Sequence, residues 1–120
     1  ASLASIEAGT AGRVAALFAQ AADRRQNGSQ PFFCGGLVLP DLPSDKPQLI
    51  EAAKDVARSH NASIGLAVGP VRPIGTRQAV DVIVVKDDSV MAIEHILGGG
   101  GIAMSRAAKS AIDQVRQMLL

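Results

Sequence analysis

The 120-residue chain has no tryptophan, no tyrosine and only three phenylalanines. Surfaces that hold single-stranded nucleic acid stack bases on aromatic rings, so this scarcity argues against that class of function. The single cysteine, Cys34, rules out an internal disulfide framework and fits a reducing compartment, so a cytoplasmic setting is expected. Charge of one sign is also lacking: 12 basic and 11 acidic residues leave a net charge of +1. Apart from the Arg24-Arg25 pair the basic residues are scattered, so neither nucleic acid nor an anionic membrane is expected as a partner. No apolar run is long enough to cross a bilayer, and the start carries no charged-then-apolar leader pattern. Internal repeats and low-complexity linkers are absent too.

What is present is aliphatic. Hydrophobic residues make up 48% of the chain, enough to fill a real core and to argue against disorder. The length suits one domain over residues 1–120. It opens directly on a strand-like segment, which points to a piece cut from a longer chain.

The organising stretch is Leu3 to Ala22. Leu3-Ala4-Ser5-Ile6 reads as a short strand, Glu7-Ala8-Gly9-Thr10-Ala11-Gly12 as a turn of small residues, and the Ala-rich run behind Arg13 as a helix. Thr10 is the natural N-cap of that helix. Such a corner lets a ligand approach the backbone, with the N–H groups of the first helical turn and the positive end of the dipole aimed at it.

A polar connection ending at Pro31 follows, and Phe32 to Leu39 reads as a second strand, its Gly35-Gly36 pair marking a bulge or a close approach. Within it Cys34 is expected to act as a small buried hydrophobe. Ser44 or Asp45 is placed to cap a helix from Pro47 to His60 whose charged face is solvated. Ser63 to Val68 is a buried strand, and residues 69–77 read as a loop. Arg72, Thr76 and Arg77 are its ligand candidates, because loops at the carboxyl ends of strands in open α/β sheets are where ligands bind. Val80–Val85 and Val90–Ile96 form a hairpin around Asp87-Asp88, which explains that acidic pair without a metal. Gly98 to Gly101 lead into a last helix from Ile102 to Leu120, with Ala103, Ala107, Ala111, Val115 and Met118 inward. The tetraglycine has no Gly-Lys-Ser/Thr ending, so it is not a P-loop. The order β-α-β-α-β-β-β-α predicts a three-layer α/β/α domain with a mixed sheet.

These landmarks resemble the C-terminal domain of the CinA (competence/damage-inducible) family, whose active members are nicotinamide-nucleotide amidases. The resemblance spans nearly the whole chain. Ser2 to Gly12 is similar to the family's opening strand and Glu-Ser-Cys-Thr-Gly-Gly turn, and Phe32 to Val38 to the strand before its Tyr-Ser-Asn-x-x-Lys segment. Ala62 to Val68 matches the strand before its glycine-rich loop, and Arg72-Pro73-Ile74-Gly75-Thr76 is similar to the Lys-Pro-Val-Gly-Thr that follows. Arg106 matches a later arginine.

The departures fall on the chemistry. Where the family has its nucleophilic Ser this chain has Ala8, and where it has the neighbouring Cys this chain has Gly9. The family's Tyr falls on Pro40 and its Lys on Asp45, or on Lys46 with one residue inserted. Amide hydrolysis by that route needs an activated hydroxyl with a base in reach. Thr10 is the hydroxyl left in the turn, and Thr10 and Lys46 are weak substitutes. The resemblance therefore implies a retained scaffold with a degenerate amidase site. It would bind a nucleotide or small anion through Glu7, Gly9, Thr10, Gly12, Gly35, Gly69, Arg72, Thr76 and Arg106, or serve assembly as a homo-oligomer or with an N-terminal partner domain. The alternative is a nicotinamide mononucleotide deamidase with a non-standard catalytic set. No cofactor or metal is implied.

Overall fold

The computed structural model describes residues 2–8, 12–17, 33–43, 45–97 and 103–119. In chain order they form β1 (Leu3–Glu7), a helical segment α1 (residues 13–17), β2 (Phe33–Val38), α2 (Lys46–Ser59), β3 (Ile64–Val68), β4 (Arg72–Ile74), β5 (Arg77–Lys86), β6 (Ser89–Leu97) and α3 (Ala103–Leu119). The strands make one six-stranded sheet in the order β2-β1-β3-β5, with β4 and β6 both paired to β5. Strands β2, β1 and β3 are parallel, and β4, β5 and β6 continue antiparallel.

The order 2-1-3 forces the helices to opposite sides. From β1 the chain moves one way to β2 and then back past β1 to β3, and right-handed crossovers in opposite directions must use opposite faces. Val14 of α1 and Ala107, Ala108, Ala111 and Val115 of α3 accordingly share one core with Leu3, Leu66, Val80 and Val82. Leu49, Ala53 and Val56 of α2 share the other with Ala4, Ile6, Ala67 and Ile83. Alternate residues of β1, β3 and β5 point to alternate layers, as the period of two requires. The mixed, three-layer α/β/α architecture expected from the sequence is the one observed.

Helix α2 starts where Asp45 takes an extended N-cap conformation and Pro47 sits in the first turn, and it presents Leu49, Ala53 and Val56 as one buried stripe. Asp45 makes no side-chain cap bond, and Ser44 lies outside the described residues. The helix lies so close to β3 that a Cβ on Gly65 would come within 2.0 Å of the Ala53 carbonyl oxygen. Only glycine fits there.

Two sequence expectations need correction. Residues 72–74, expected inside a loop, are strand β4, joined to β5 by a turn at Gly75-Thr76 where Gly75 has φ +62. Pro73 is tolerated because this strand is short and lies along the margin of the sheet. Cys34 is half-buried rather than buried. Leu3 faces Phe33 while Ala4 faces Gly35, so Cys34 is the extra residue of a bulge. The glycine signal in this strand is thereby explained: Gly35 has φ +151, and a Cβ there would lie 2.8 Å from His60 Cδ2. The Asp87-Asp88 hairpin is as expected, with both strands longer than the apolar runs suggested.

Candidate functional site

The switch point of the sheet, where β1 and β3 lie side by side, puts the carboxyl ends of three strands together. Glu7 stands opposite Val38 on one side and Val68 on the other. The Leu39 amide donates to the Glu7 carbonyl at 2.9 Å and the Ala8 amide to the Val68 carbonyl at 3.1 Å. The Gly69 amide donates to the Asp81 carbonyl at 2.9 Å, which brings β5 to the same end. Glu7, Ala8 and Gly69 are therefore neighbours, and Lys46 is exposed at the start of α2, the helix that follows the carboxyl end of β2.

The central residue of this corner is Glu7, wholly buried although ionisable. Its Oε1 accepts from the amides of Gly12 at 2.9 Å and Val14 at 3.3 Å, and its Oε2 from Ala15 at 2.9 Å. The last residue of the first strand thus reaches across the turn and caps the first helix. A carboxylate is well suited to that place, since it accepts several orphan donors at once and lies at the positive end of the dipole. The expected cap, Thr10, lies outside the described residues with Gly9 and Ala11, as does the tetraglycine. The expectation that the first turn of the helix offers free N–H groups is overturned for Gly12, Val14 and Ala15. An internal anion already holds them.

The residue next to that carboxylate is Ala8, a half-buried methyl side chain. Arg72 is not an open cation. Its Nη2 lies 3.2 Å from each Asp81 carboxylate oxygen and also bonds Glu94. Arg72 is held protonated more firmly than an ordinary arginine, first by its hydrogen bond to Glu94, with partial burial opposing and the charges of Asp81 and Glu94 adding to it. Thr76 and Arg77 are exposed at the β4–β5 turn, and Arg106 is exposed on α3. Gly35 is not brought to the corner: it pairs with Ala4, three residues up β1 from Glu7, and packs under His60.

Sequence reasoning missed a second buried polar group. Gln114 of α3 is 2% exposed, and its Nε2 donates to the carbonyls of Val82 at 2.9 Å and Met91 at 3.1 Å. Its Oε1 must therefore accept, which assigns the proton of the 2.7 Å contact to His95 Nε2. Two further buried oxygens, Ser5 Oγ and Gln78 Oε1, have no hydrogen-bond partner among the described residues. A cleft of about 390 Å³ beside Lys54, Arg58, Ser63 and Asp87 lies at the opposite end of the sheet, remote from Ala8. A groove of about 280 Å³ between α1 and α3 is lined by Arg13, Ala16, Leu17 and Ala108. Among the described residues no group of His, Cys, Asp and Glu could hold a metal ion, and no helix is long and apolar enough to cross a membrane.

The chain is similar in structure to a competence-damaged protein (CinA) superfamily protein from Enterobacter cloacae, with a TM-score of 0.77 and 14% identity over 99% of this chain and 82% of that one. It is likewise similar to a competence or damage-inducible protein from Enterobacter asburiae, with a TM-score of 0.70 and 14% identity over 97% and 86% of the two chains. No family model and no curated protein sequence matches it. The fold is thus that of CinA-superfamily structures, as the sequence landmarks implied. At such identity the likeness speaks for the fold, and function has to be argued from the site.

Proposed function

We propose that this chain, built on the CinA-superfamily fold, is a non-catalytic module used for assembly or for holding a nucleotide or small anion. The observation that carries the reading is the pairing of Ala8 with Glu7. Where a nucleophilic hydroxyl would stand there is a methyl group, and the adjacent helix N-terminus is neutralised by the chain's own carboxylate. Neither an acyl-enzyme nor an oxyanion can be supported at Ala8 by groups that are already engaged. Arg72 is paired twice over, which lowers its pull on an external anion.

The test measures ammonia release from nicotinamide mononucleotide, with thermal melting in the presence of that compound, its deamidated acid and ADP-ribose. No ammonia is expected. Ammonia that disappears in Thr10→Ala or Lys46→Ala would overturn the reading in favour of a deamidase with a non-standard catalytic set. A ligand held at a hundredfold excess over its Kd stabilises by about 2.7 kcal/mol, a readily visible rise in Tm. A rise without ammonia supports the ligand-holding role, and no rise leaves assembly.

A further inference from the structure

The two margins of the sheet differ in how they meet solvent. Strand β2 has six residues, a bulge at Cys34 and a proline two residues beyond its end. Strand β6 has nine residues in unbroken register with β5 and contains no proline, no lysine and no bulge. Those are the usual devices that stop an edge from pairing with another strand. Among the described strands β6 pairs with β5 alone. Val90, Ile93 and Ile96 on it are 43%, 38% and 47% exposed.

The hairpin fixes which backbone groups of β6 face outward. Lys86 and Ser89 close a two-residue turn, so they form a hydrogen-bonded pair and the pairs alternate from there. The Gly69–Asp81 bond agrees, because it places the Asp81 carbonyl on the β3 side of β5, away from Glu94. The outward N–H and C=O groups of β6 therefore belong to Val90, Ala92, Glu94 and Ile96.

We propose that a second copy of this chain docks on this edge, the two β6 strands pairing antiparallel about a two-fold axis through Ile93 and continuing the sheet from one molecule into the next. In that register Val90 bonds with Ile96 of the other copy and Ala92 with Glu94, so every outward backbone group finds a partner. The same register stacks exposed Val90 on exposed Ile96 and Ile93 on its own symmetry mate. It also sets each Glu94 against an alanine. Moving the axis to Glu94 would oppose two carboxylates, and moving it to Ala92 would leave Ile96 facing the hairpin turn. Backbone pairing, apolar burial and charge select one register, as a self-complementary two-fold interface requires. The inference deepens the assembly role proposed above and rests on it; ammonia release would sink that role and leave the mass measurement untouched.

The experiment measures mass in solution and directed cross-linking. The chain is expected to run at twice its monomer mass at micromolar concentration, and Ile93→Lys and Ile93→Glu are each expected to run as monomers with unchanged circular dichroism. Mixing those two variants should restore a mixed dimer. In a Cys34→Ser background, Ile93→Cys is expected to oxidise to a covalent dimer, because a non-hydrogen-bonded pair has its Cα atoms about 4.5 Å apart, within disulfide range. Val90→Cys is the control, since its symmetry mate would be about 20 Å away along the strand. A monomeric parent chain, or equal cross-linking of the two cysteine variants, would overturn the proposal.

Discussion

Two polar clusters hang from opposite faces of one sheet, and they differ in what surrounds them. On the α1/α3 face, Glu7 and Gln114 are wholly or almost wholly buried, and apart from the His95 ring on Gln114 the partners named for them are backbone groups fixed by helix and strand. On the other face, Asp81 lies between Val80 and Val82 along β5 but points away from them, and it meets Arg72 and Glu94 where solvent still reaches. All three of the latter are flexible side chains. Rigid partners and exclusion of water make the first cluster energetically expensive to disturb; mobile partners and screening make the second one cheap.

That contrast is broken most severely at Glu7. In Glu7→Ala the amides of Gly12, Val14 and Ala15 lose their acceptor; two of the three bonds are part-buried, so at the low end of about 1–3 kcal/mol per orphan the loss should be about 3 kcal/mol. Chemical denaturation would measure it. Glu7→Gln keeps one acceptor oxygen and should cost about half as much, because the charge-assisted part is gone. Equal costs for the two would show that the complete carboxylate, rather than side-chain volume or a single acceptor oxygen, sets the corner.

An intermediate effect is expected at Gln114. Gln114→Met keeps much of the volume but removes both bonds to the strand carbonyls and the acceptor of His95, for about 1–2 kcal/mol. The His95 ring should also lose its preference for the Nε2–H tautomer, visible in its nitrogen chemical shifts.

The smallest effect belongs to Arg72. Arg72→Met should cost less than about 1 kcal/mol and less still in high salt, since partly exposed pairs are screened. Folding raises the Arg72 pKa, so its contribution is complete below the ordinary arginine value and fades only as pH climbs through the raised one. No step in stability from this group is expected across the neutral range. A cost as large as that of Glu7→Ala would abolish the difference between the two clusters.

How much of this was legible in the chain differs element by element. Leu3 to Ile6, Ile64 to Val68 and Val80 to Val85 are dense enough in apolar residues to announce buried strands, and Asp87-Asp88 announces the turn between β5 and β6. Strand β4 was hidden because Pro73 and Gly75 are loop residues by composition, and only pairing with β5 makes Arg72 to Ile74 extended. Helical periodicity marked the Ala107, Ala111 and Val115 stripe but had no means of placing Gln114 in it. A buried amide is stable there only because two strand carbonyls and His95 happen to face it. Capping rules pointed to Thr10, which lies outside the described residues, and could not show that Glu7, at the end of a strand, also accepts from the first turn.

The sequence by itself determined the layers and the order of the elements other than β4, because apolar spacing, turn residues and helix stops are local properties that act within a few residues. It also determined that a methyl group follows Glu7, since that is composition. The tertiary structure alone decided what the corner can do. A carboxylate is an anion seeking donors or a base seeking a substrate until its surroundings are known, and here the fold closes it onto three amides of the neighbouring helix. Such an assignment depends on distances between groups that the chain brings together only by folding, and no spacing in the sequence encodes them.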